Sequence, residues 1–215
     1  MKNTIIILIL LACFISSCSF NCSCSKEKKI VDKTINHFIG KKIPKLEMEA
    51  FYKGKITKIK LSDYMGKWLI LFFYPADFTY VCPTELRELS EFYPKFKKLK
   101  AEILSISTDS AHVHQAWHKH NEAVKTVKYP MLSDRSGKLS RNLGAYEEAK
   151  GTSIRASYIV DPDGKIIAYE AHDETIGRNS AELLRKLQAA IAVRESDGDF
   201  CPAGWNLGEE MISPD

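Results

Sequence analysis

The feature that most constrains the fold is a continuous apolar run over residues 68–74, WLILFFY. A strand with one solvated face alternates apolar and polar residues, whereas a strand covered on both faces is apolar throughout. The run therefore predicts a central strand, with other elements packed on both faces of its sheet. A chain of 215 residues with 45% hydrophobic residues is long enough to build one such domain.

The segments around this run predict the rest of an α/β domain. Alternating residues on both sides of Lys53-Gly54 predict a β-hairpin, and apolar residues at helical spacing after residue 82 predict a long helix with a kink at Pro94. Strands and helices that alternate and end in a hairpin and a helix are typical of a mixed central sheet flanked by helices, and the thioredoxin-like fold is a natural candidate. Further strands are predicted at 101–107, 156–160 and 165–171, and further helices at 110–124 and 180–193.

The first 32 residues are predicted to precede the folded domain. Lys2 is followed by an apolar run over residues 5–15, which suits the core of a signal peptide and is too short to span a bilayer. Ile15-Ser16-Ser17-Cys18 resembles a bacterial lipobox, in which the cysteine is acylated. The interpretation is a signal peptide at 1–17, a tether at 18–32, the domain at 33–196 and a C-terminal segment at 197–215. It implies an exported lipoprotein anchored in a bacterial cell envelope. A simply cleaved signal, or a spurious start on a cytoplasmic protein, is the alternative.

The charge distribution excludes one class of partner. The formal net charge is +4, and the segment up to Lys29 carries +3 of it, which leaves +1 for everything that follows. A nucleic-acid-binding protein needs a basic stripe to neutralise phosphates. The near-neutral body therefore argues against nucleic acid, and the absence of a glycine-rich phosphate loop from the sequence argues against a nucleotide site.

The cysteines point to redox chemistry rather than to a disulfide scaffold. Four of the six lie within the first 24 residues, whereas Cys82 and Cys201 stand alone, 119 positions apart. A scaffold would spread its cysteines through the domain. Isolated cysteines in a well-packed domain are more often reactive, although a plain core cysteine is the alternative.

Cys82 follows the apolar strand at the predicted start of the long helix. Pro83 suits the first helical position and Glu85 the third. A thiol in the first turn faces unpaired backbone N–H groups and the positive end of the helix dipole, which favour the thiolate. Position alone leaves a buried, inert cysteine open. A thioredoxin-type helix would carry a second cysteine at position 85, so the redox partner of Cys82 must be distant, and Cys201 is the one available in the folded body.

Three segments carry a resemblance to a known family. Residues 74–85 (YPADFTYVCPTE) resemble the peroxidatic loop of the typical two-cysteine peroxiredoxins, which include the peroxidase component of alkyl hydroperoxide reductase and the thioredoxin peroxidases. Residues 201–205 (CPAGW) are similar to their resolving segment, and residues 155–161 (RASYIVD) to the strand that bears their active-site arginine. The similarity extends over residues 39–205. It implies a thioredoxin-like fold and a thiol peroxidase that reduces hydrogen peroxide and alkyl hydroperoxides.

The resemblance also implies a reaction cycle and partners. Cys82 would be the peroxidatic nucleophile and would pass through a sulfenic acid, and Cys201 of a second chain would resolve it as a disulfide. This geometry implies a head-to-tail homodimer, which can assemble into a decameric ring. Electrons would come from thioredoxin or from the flavoprotein of the alkyl hydroperoxide reductase system. No organic cofactor or metal is implied.

Four further residues receive roles from the resemblance. Thr79 would hydrogen-bond the sulfur and the peroxide, although by itself it reads as a helix cap. Pro75 would shield the thiolate from water, or simply end the strand. Arg155 would supply a fixed cationic fork for the thiolate and the departing oxygen. Glu85 is placed to orient Arg155, although a capping glutamate is equally consistent with its position.

A cluster of histidines is the remaining feature with potential chemistry. Four histidines lie within nine residues of one predicted helix, and two of them have i, i+4 spacing, which invites a metal site. No cysteine or carboxylate frames them, and Val113 and Trp117 supply the predicted buried stripe. The cluster is therefore predicted to be a solvated helix face without a metal. The four are His112, His114, His118 and His120.

Overall fold

The structure is a computed structural model that describes residues 37–214. The predicted signal peptide, the acylation site at Cys18 and the tether up to residue 32 lie outside the described residues. Among residues 37–214, no helix combines the length and apolar character needed to cross a membrane.

Seven strands form one mixed sheet in the order β2-β1-β5-β4-β3-β8-β9. The central strand β3 runs parallel to β4 and antiparallel to β8, as the α/β interpretation predicted. A separate two-stranded hairpin pairs β6 with β7. The bounds are β1 Glu47–Tyr52, β2 Lys55–Lys60, β3 Trp68–Phe73, β4 Ala101–Ser107, β5 Met131–Ser133, β6 Tyr146–Glu147, β7 Thr152–Ser153, β8 Arg155–Val160 and β9 Ile166–His172.

The apolar run is buried on both faces, as its composition predicted. Every residue of β3 is buried. Its Ile70 and Phe72 belong to a core cluster shared with the long helices, for example through Leu86. The alternate residues, such as Leu71, belong to a second cluster on the opposite face, together with Leu139. β3 is therefore packed between the two clusters, at the centre of the domain.

Four α-helices flank the sheet within the described residues. The helix predicted at 110–124 is shorter than expected: α2 ends at His120. Asn121 adopts an extended conformation there, and its side chain accepts hydrogen bonds from the backbone N–H groups of Ala123 and Val124, which starts a separate 3-10 turn. The helices are α1 Cys82–Lys98, with Pro94 inside it, α2 Ala111–His120, α3 Lys138–Asn142 and α4 Ser180–Glu195.

The segment after α4 is held by backbone and side-chain hydrogen bonds. Phe200 and Ile212 form an isolated antiparallel bridge, in which each backbone N–H donates to the other residue's carbonyl at 2.8 Å. The hydroxyl of Ser213 also donates to the Asp199 carboxylate at 2.6 Å. These bonds close residues 199–213 into a small loop that contains Cys201 and Trp205.

Candidate active site

The fold places Cys82 at the first residue of α1, as the sequence predicted. The helix begins at Cys82 itself, so Pro83 occupies the second helical position rather than the first. No side chain caps this end, and Val81, the residue before the helix, contributes only its carbonyl, which accepts from Thr84 and Glu85. Cys82 is fully buried, and its thiol is free. Cys82 therefore lies at the N-terminal end of α1, where the helix dipole places a partial positive charge.

Arg155 reaches Cys82 because of the register of the central strands. β3 and β8 are antiparallel neighbours, and Phe73, the last residue of β3, lies opposite Ala156. Arg155 therefore stands one residue beyond the end of β3, beside the loop that leads to Cys82. Its Nη1 lies 3.6 Å from the Cys82 sulfur. The arginine is 3% exposed, so it is a buried cation.

Glu85 accepts a hydrogen bond from Arg155 and does not cap the helix. Its Oε2 accepts from Arg155 Nη1 at 2.5 Å, and both carboxylate oxygens also accept from a second arginine, Arg178. Burial by itself would raise the pKa of Glu85, but the hydrogen bonds and charge of Arg178, with the charge of Arg155, outweigh it and lower the pKa. Glu85 therefore remains a carboxylate at neutral pH and holds both guanidinium groups.

Arg178 is a site residue that the sequence analysis missed. It donates to Glu85 through its backbone N–H and two side-chain nitrogens, and to Ala156 and Ser157 of β8 through Nη1. Its guanidinium also lies 3.4 Å from the ring centroid of Phe72. In the sequence, Arg178 is one arginine just before the Asn179 cap of α4, and no spacing links it to Cys82.

The remaining donors of Arg155 bind a backbone carbonyl. Nε and Nη2 donate to the Glu174 carbonyl at 3.1 and 2.6 Å, while Nη1 faces both Glu85 and Cys82. The guanidinium is thus fixed from two sides before any substrate arrives. A donor that is already oriented stabilises developing negative charge without a cost of reorganisation.

A cavity of about 380 Å³ lies over Cys82 and includes the predicted Pro75 and Thr79. Pro75 forms part of the wall, consistent with a shield. The Thr79 hydroxyl donates to the Ala76 carbonyl at 2.9 Å, so its hydrogen is engaged while its oxygen can still accept a bond. The cavity is lined by Pro75, Thr79, Tyr80, Val81, Cys82, Arg155, Glu174 and Thr175.

The loop before Cys82 is anchored by a buried polar cluster that includes one of the four histidines. The Asp77 carboxylate accepts from the Tyr74 hydroxyl at 2.7 Å and lies 2.7 Å from His114 Nδ1. Burial raises the pKa of Tyr74 well above its usual value, so this hydroxyl keeps its proton. His114 is fully buried, and the prediction of a solvated histidine face is wrong at this position. Its other ring nitrogen lies 3.1 Å from the Leu132 carbonyl, so the ring ties the loop to the sheet.

Cys201 lies on a different element from Cys82. Its sulfur is 3.7 Å from the Ala189 carbonyl of α4, and the residue is half-buried. Both thiols are free. The structure thus brings Cys82, Arg155, Glu85, Pro75 and Thr79 together and places Cys201 against its own α4.

Known proteins are similar to this chain over most of its length. Residues 39–169 match the family model described as the AhpC/TSA family. The chain is 42% identical over 176 residues to alkyl hydroperoxide reductase C of Salmonella typhimurium, which covers 82% of this chain and 94% of the relative. It is 44% identical over 181 residues to a selenocysteine-containing peroxiredoxin of Peptoclostridium acidaminophilum, covering 82% of this chain and 89% of the relative.

Two solved structures show the same fold. The crystal structure of Enterococcus faecalis AhpC is 45% identical, with a TM-score of 0.75, and the match covers 77% of this chain and 99% of that one. The reduced 2-Cys peroxiredoxin of Plasmodium vivax is 31% identical, with a TM-score of 0.79, and the match covers 83% of this chain and 94% of that one. The similarity therefore extends to nearly the whole length of each relative.

Proposed function

Because this chain belongs to the AhpC/TSA family of peroxiredoxins and is a thiol peroxidase that reduces peroxides, we propose that Cys82 is its peroxidatic nucleophile. The observation that carries this proposal is the position of Arg155 Nη1, 3.6 Å from the sulfur of a buried cysteine at a helix N-terminus. The guanidinium and the helix end both place positive charge beside this sulfur, where an anionic nucleophile would be stabilised. Glu85 and the Glu174 carbonyl keep the guanidinium in place.

The first half of the cycle forms an S–O bond and breaks the O–O bond of the peroxide. The Cys82 thiolate attacks the terminal oxygen, and the other oxygen leaves as an alkoxide or hydroxide that takes a proton and becomes an alcohol or water. Cys82 is oxidised to a sulfenic acid. Arg155 stabilises the negative charge as it moves from sulfur to the departing oxygen, and the Thr79 oxygen can accept a hydrogen bond from the bound hydroperoxide.

The cavity supports hydrogen peroxide and small alkyl hydroperoxides as substrates. Its volume of about 380 Å³ exceeds the needs of hydrogen peroxide alone, and Pro75, Val81 and Tyr80 supply apolar surface for an alkyl group. Tyr80 is 96% exposed, so the mouth of the cavity is open to substrates that extend beyond it.

The second half of the cycle closes a disulfide between two chains. The Cys201 thiolate of one chain attacks the Cys82 sulfur of the other, and the S–O bond breaks as the S–S bond forms. The oxygen leaves as hydroxide, which takes the proton that the Cys201 thiol released and becomes water. A dithiol protein, thioredoxin or the flavoprotein of the alkyl hydroperoxide reductase system, then reduces the disulfide. A dimer is supported by β9, which lies at an edge of the seven-stranded sheet and exposes Ile167 and Tyr169. An edge strand with exposed apolar side chains favours pairing with a second copy.

Oxidation by one equivalent of peroxide is expected to convert the protein to a disulfide-linked dimer on a non-reducing gel. The bridge joins Cys82 of one chain to Cys201 of the other, so either Cys82→Ser or Cys201→Ser should remove the dimer band. Peptide mapping by mass spectrometry identifies the bridge in the band. A Cys82–Cys201 bridge found only within monomers would contradict the two-chain geometry.

The experiment that tests the function itself is peroxide consumption with a dithiol reductant. The purified protein should consume hydrogen peroxide and an alkyl hydroperoxide, such as cumene hydroperoxide, in proportion to oxidation of added thioredoxin. A disulfide-exchange protein would instead reduce a disulfide substrate such as insulin and leave the peroxide unchanged. Reduction of insulin with no loss of peroxide would contradict the proposal.

For its location, we propose an exported lipoprotein acylated at Cys18, supported by the apolar run at 5–15 and the Ile15-Ser16-Ser17-Cys18 motif. Full-length protein made in a bacterium should lose residues 1–17. It should also partition into detergent, because two or more acyl chains give stable membrane binding. Cys18→Ala is the matched control and should remain in the aqueous phase. Recovery of a water-soluble parent protein that retains Met1 would exclude this location.

A further inference from the structure

A further arginine, Arg185, lies near the other cysteine, Cys201, which acts in the second half of the proposed cycle. Arg185 lies on α4, where its Nε and Nη2 donate to the two carboxylate oxygens of Glu182 at 2.6 and 2.8 Å. This paired geometry fixes the plane of the guanidinium. The remaining nitrogen, Nη1, donates to the backbone carbonyl of Trp205 at 2.7 Å. Glu182 thus aims Arg185 at the segment that carries Cys201.

Trp205 is the anchor of that segment. It is 3% exposed, and its indole N–H donates to the Glu209 carbonyl at 3.0 Å. Cys201 lies four residues before Trp205, and its sulfur contacts the carbonyl of Ala189, one helical turn beyond Arg185 on α4. Residues 201–205 therefore lie along α4 with Arg185 at one end and Ala189 at the other.

The charge of Arg185 also acts on the thiol. Burial raises the pKa of Cys201, and the positive charge of Arg185 opposes that rise. The resolving cysteine must attack as a thiolate, so a cation that favours the ionised form increases the reactive fraction at neutral pH. Arg155 and Arg178 serve the peroxidatic cysteine in the same chain, and neither is in contact with Cys201.

We propose that Arg185 is a positioning residue for the resolving step: it holds residues 201–205 on α4 and keeps a positive charge beside the Cys201 thiol. The inference rests on the proposed role of Cys201 and adds a residue to it. Arg185 touches neither the peroxide nor the Cys82 sulfur, so its removal should slow disulfide formation without slowing the oxidation of Cys82.

The first test measures Cys201 alone. In the Cys82→Ser background, iodoacetamide alkylation of the Cys201 peptide is followed by mass spectrometry as a function of pH, which separates Cys201 from the N-terminal cysteines. Arg185→Gln should move the midpoint upward by about 0.5 to 1 pH unit, and Arg185→Lys should restore most of the shift because it keeps the charge. Arg194→Gln is the matched control. It removes the same charge from the same helix, where Arg194 pairs with Asp161 and Asp163, and should leave the midpoint unchanged.

The second test measures the two half-reactions in the protein with both cysteines. After one equivalent of peroxide, Arg185→Gln should form the Cys82–Cys201 disulfide about 3- to 10-fold more slowly at neutral pH, since a one-unit shift changes the thiolate fraction tenfold. The rate of sulfenic acid formation, trapped with dimedone, should stay at the parent value.

The outcomes separate this inference from the proposed function. If the parent protein forms no Cys82–Cys201 disulfide, the proposed role of Cys201 is wrong. If the parent forms the disulfide and Arg185→Gln matches it in both alkylation midpoint and disulfide rate, Arg185 has no part in resolution. A shifted midpoint with an unchanged disulfide rate would also overturn the inference.

Discussion

Cys82→Ser is expected to lower peroxide turnover on the order of 10³-fold or more, because the variant lacks the thiolate that accepts the peroxide oxygen. A serine hydroxyl is almost entirely un-ionised at neutral pH, and it cannot form a sulfenic acid. The guanidinium of Arg155 and the cavity remain, so the loss isolates the nucleophile. Peroxide consumption with a saturating dithiol reductant measures the effect.

The same variant should keep its fold, which separates loss of chemistry from loss of structure. Serine is close in size to cysteine, and the neighbouring core residues such as Leu86 are unchanged. A circular dichroism melt should stay within a few degrees of the parent. Cys201→Ser is the control for the second half of the cycle: it should reduce one peroxide per site and then stop cycling through the disulfide. Substantial thioredoxin-linked turnover by Cys82→Ser would contradict the assignment of Cys82 as the nucleophile.

The parts of the site that the sequence could predict are those set by local pattern. The apolar run at 68–74 located β3, and the change to helical spacing after it placed Cys82 at a helix start. The resemblance of residues 155–161 to a known strand predicts that Arg155 belongs to the site. The register of β8 against β3 then gives the physical reason why that arginine meets the cysteine.

The parts that the sequence could not predict depend on long-range contacts or on very short elements. Glu85 and Arg178 are 93 residues apart, and nothing in either local segment records their pairing. The buried contact between Asp77 and His114 likewise spans 37 residues. An exposed helix and a partly buried one can both carry histidines at i, i+4 spacing, so burial of His114 is decided by tertiary structure. β5 has three residues, too few for any periodicity to appear.

The Arg178–Glu85–Arg155 network leads to the largest expected loss of stability. Arg178→Met is expected to lower the free energy of unfolding by about 3–5 kcal/mol, because it leaves the Glu85 carboxylate buried with one guanidinium instead of two. It also removes the donors to the Ala156 carbonyl and the Ser157 hydroxyl. Methionine keeps much of the volume beside Phe72, so the loss reports the missing charge and hydrogen bonds rather than a cavity. Urea unfolding with linear extrapolation measures it.

Arg194→Met is the matched control on the surface. Arg194 is half exposed and pairs with Asp161 and Asp163 at 3.3 and 3.0 Å, and an ion pair of this kind contributes about 1 kcal/mol or less. Arg178→Met should also slow Cys82 oxidation, because Glu85 then holds Arg155 less firmly, whereas Arg194→Met should not. Equal stability losses in the two variants would show that the buried network is no stronger than a surface pair.

The pH dependence of stability is a second, independent measure of how Arg178 affects Glu85. The folded pKa of Glu85 lies below its usual value, so its contribution is present at neutral pH, above the unfolded pKa. That contribution is lost as the pH falls through the folded pKa. Arg178 is the main cause of the lowered pKa, so its removal leaves burial as the dominant influence and raises the pKa of Glu85. The acid-side slope of the unfolding free energy should therefore be shallower in Arg178→Met than in the parent, and unchanged in Arg194→Met. An identical slope in all three proteins would show that Arg178 does not hold Glu85 in its ionised form.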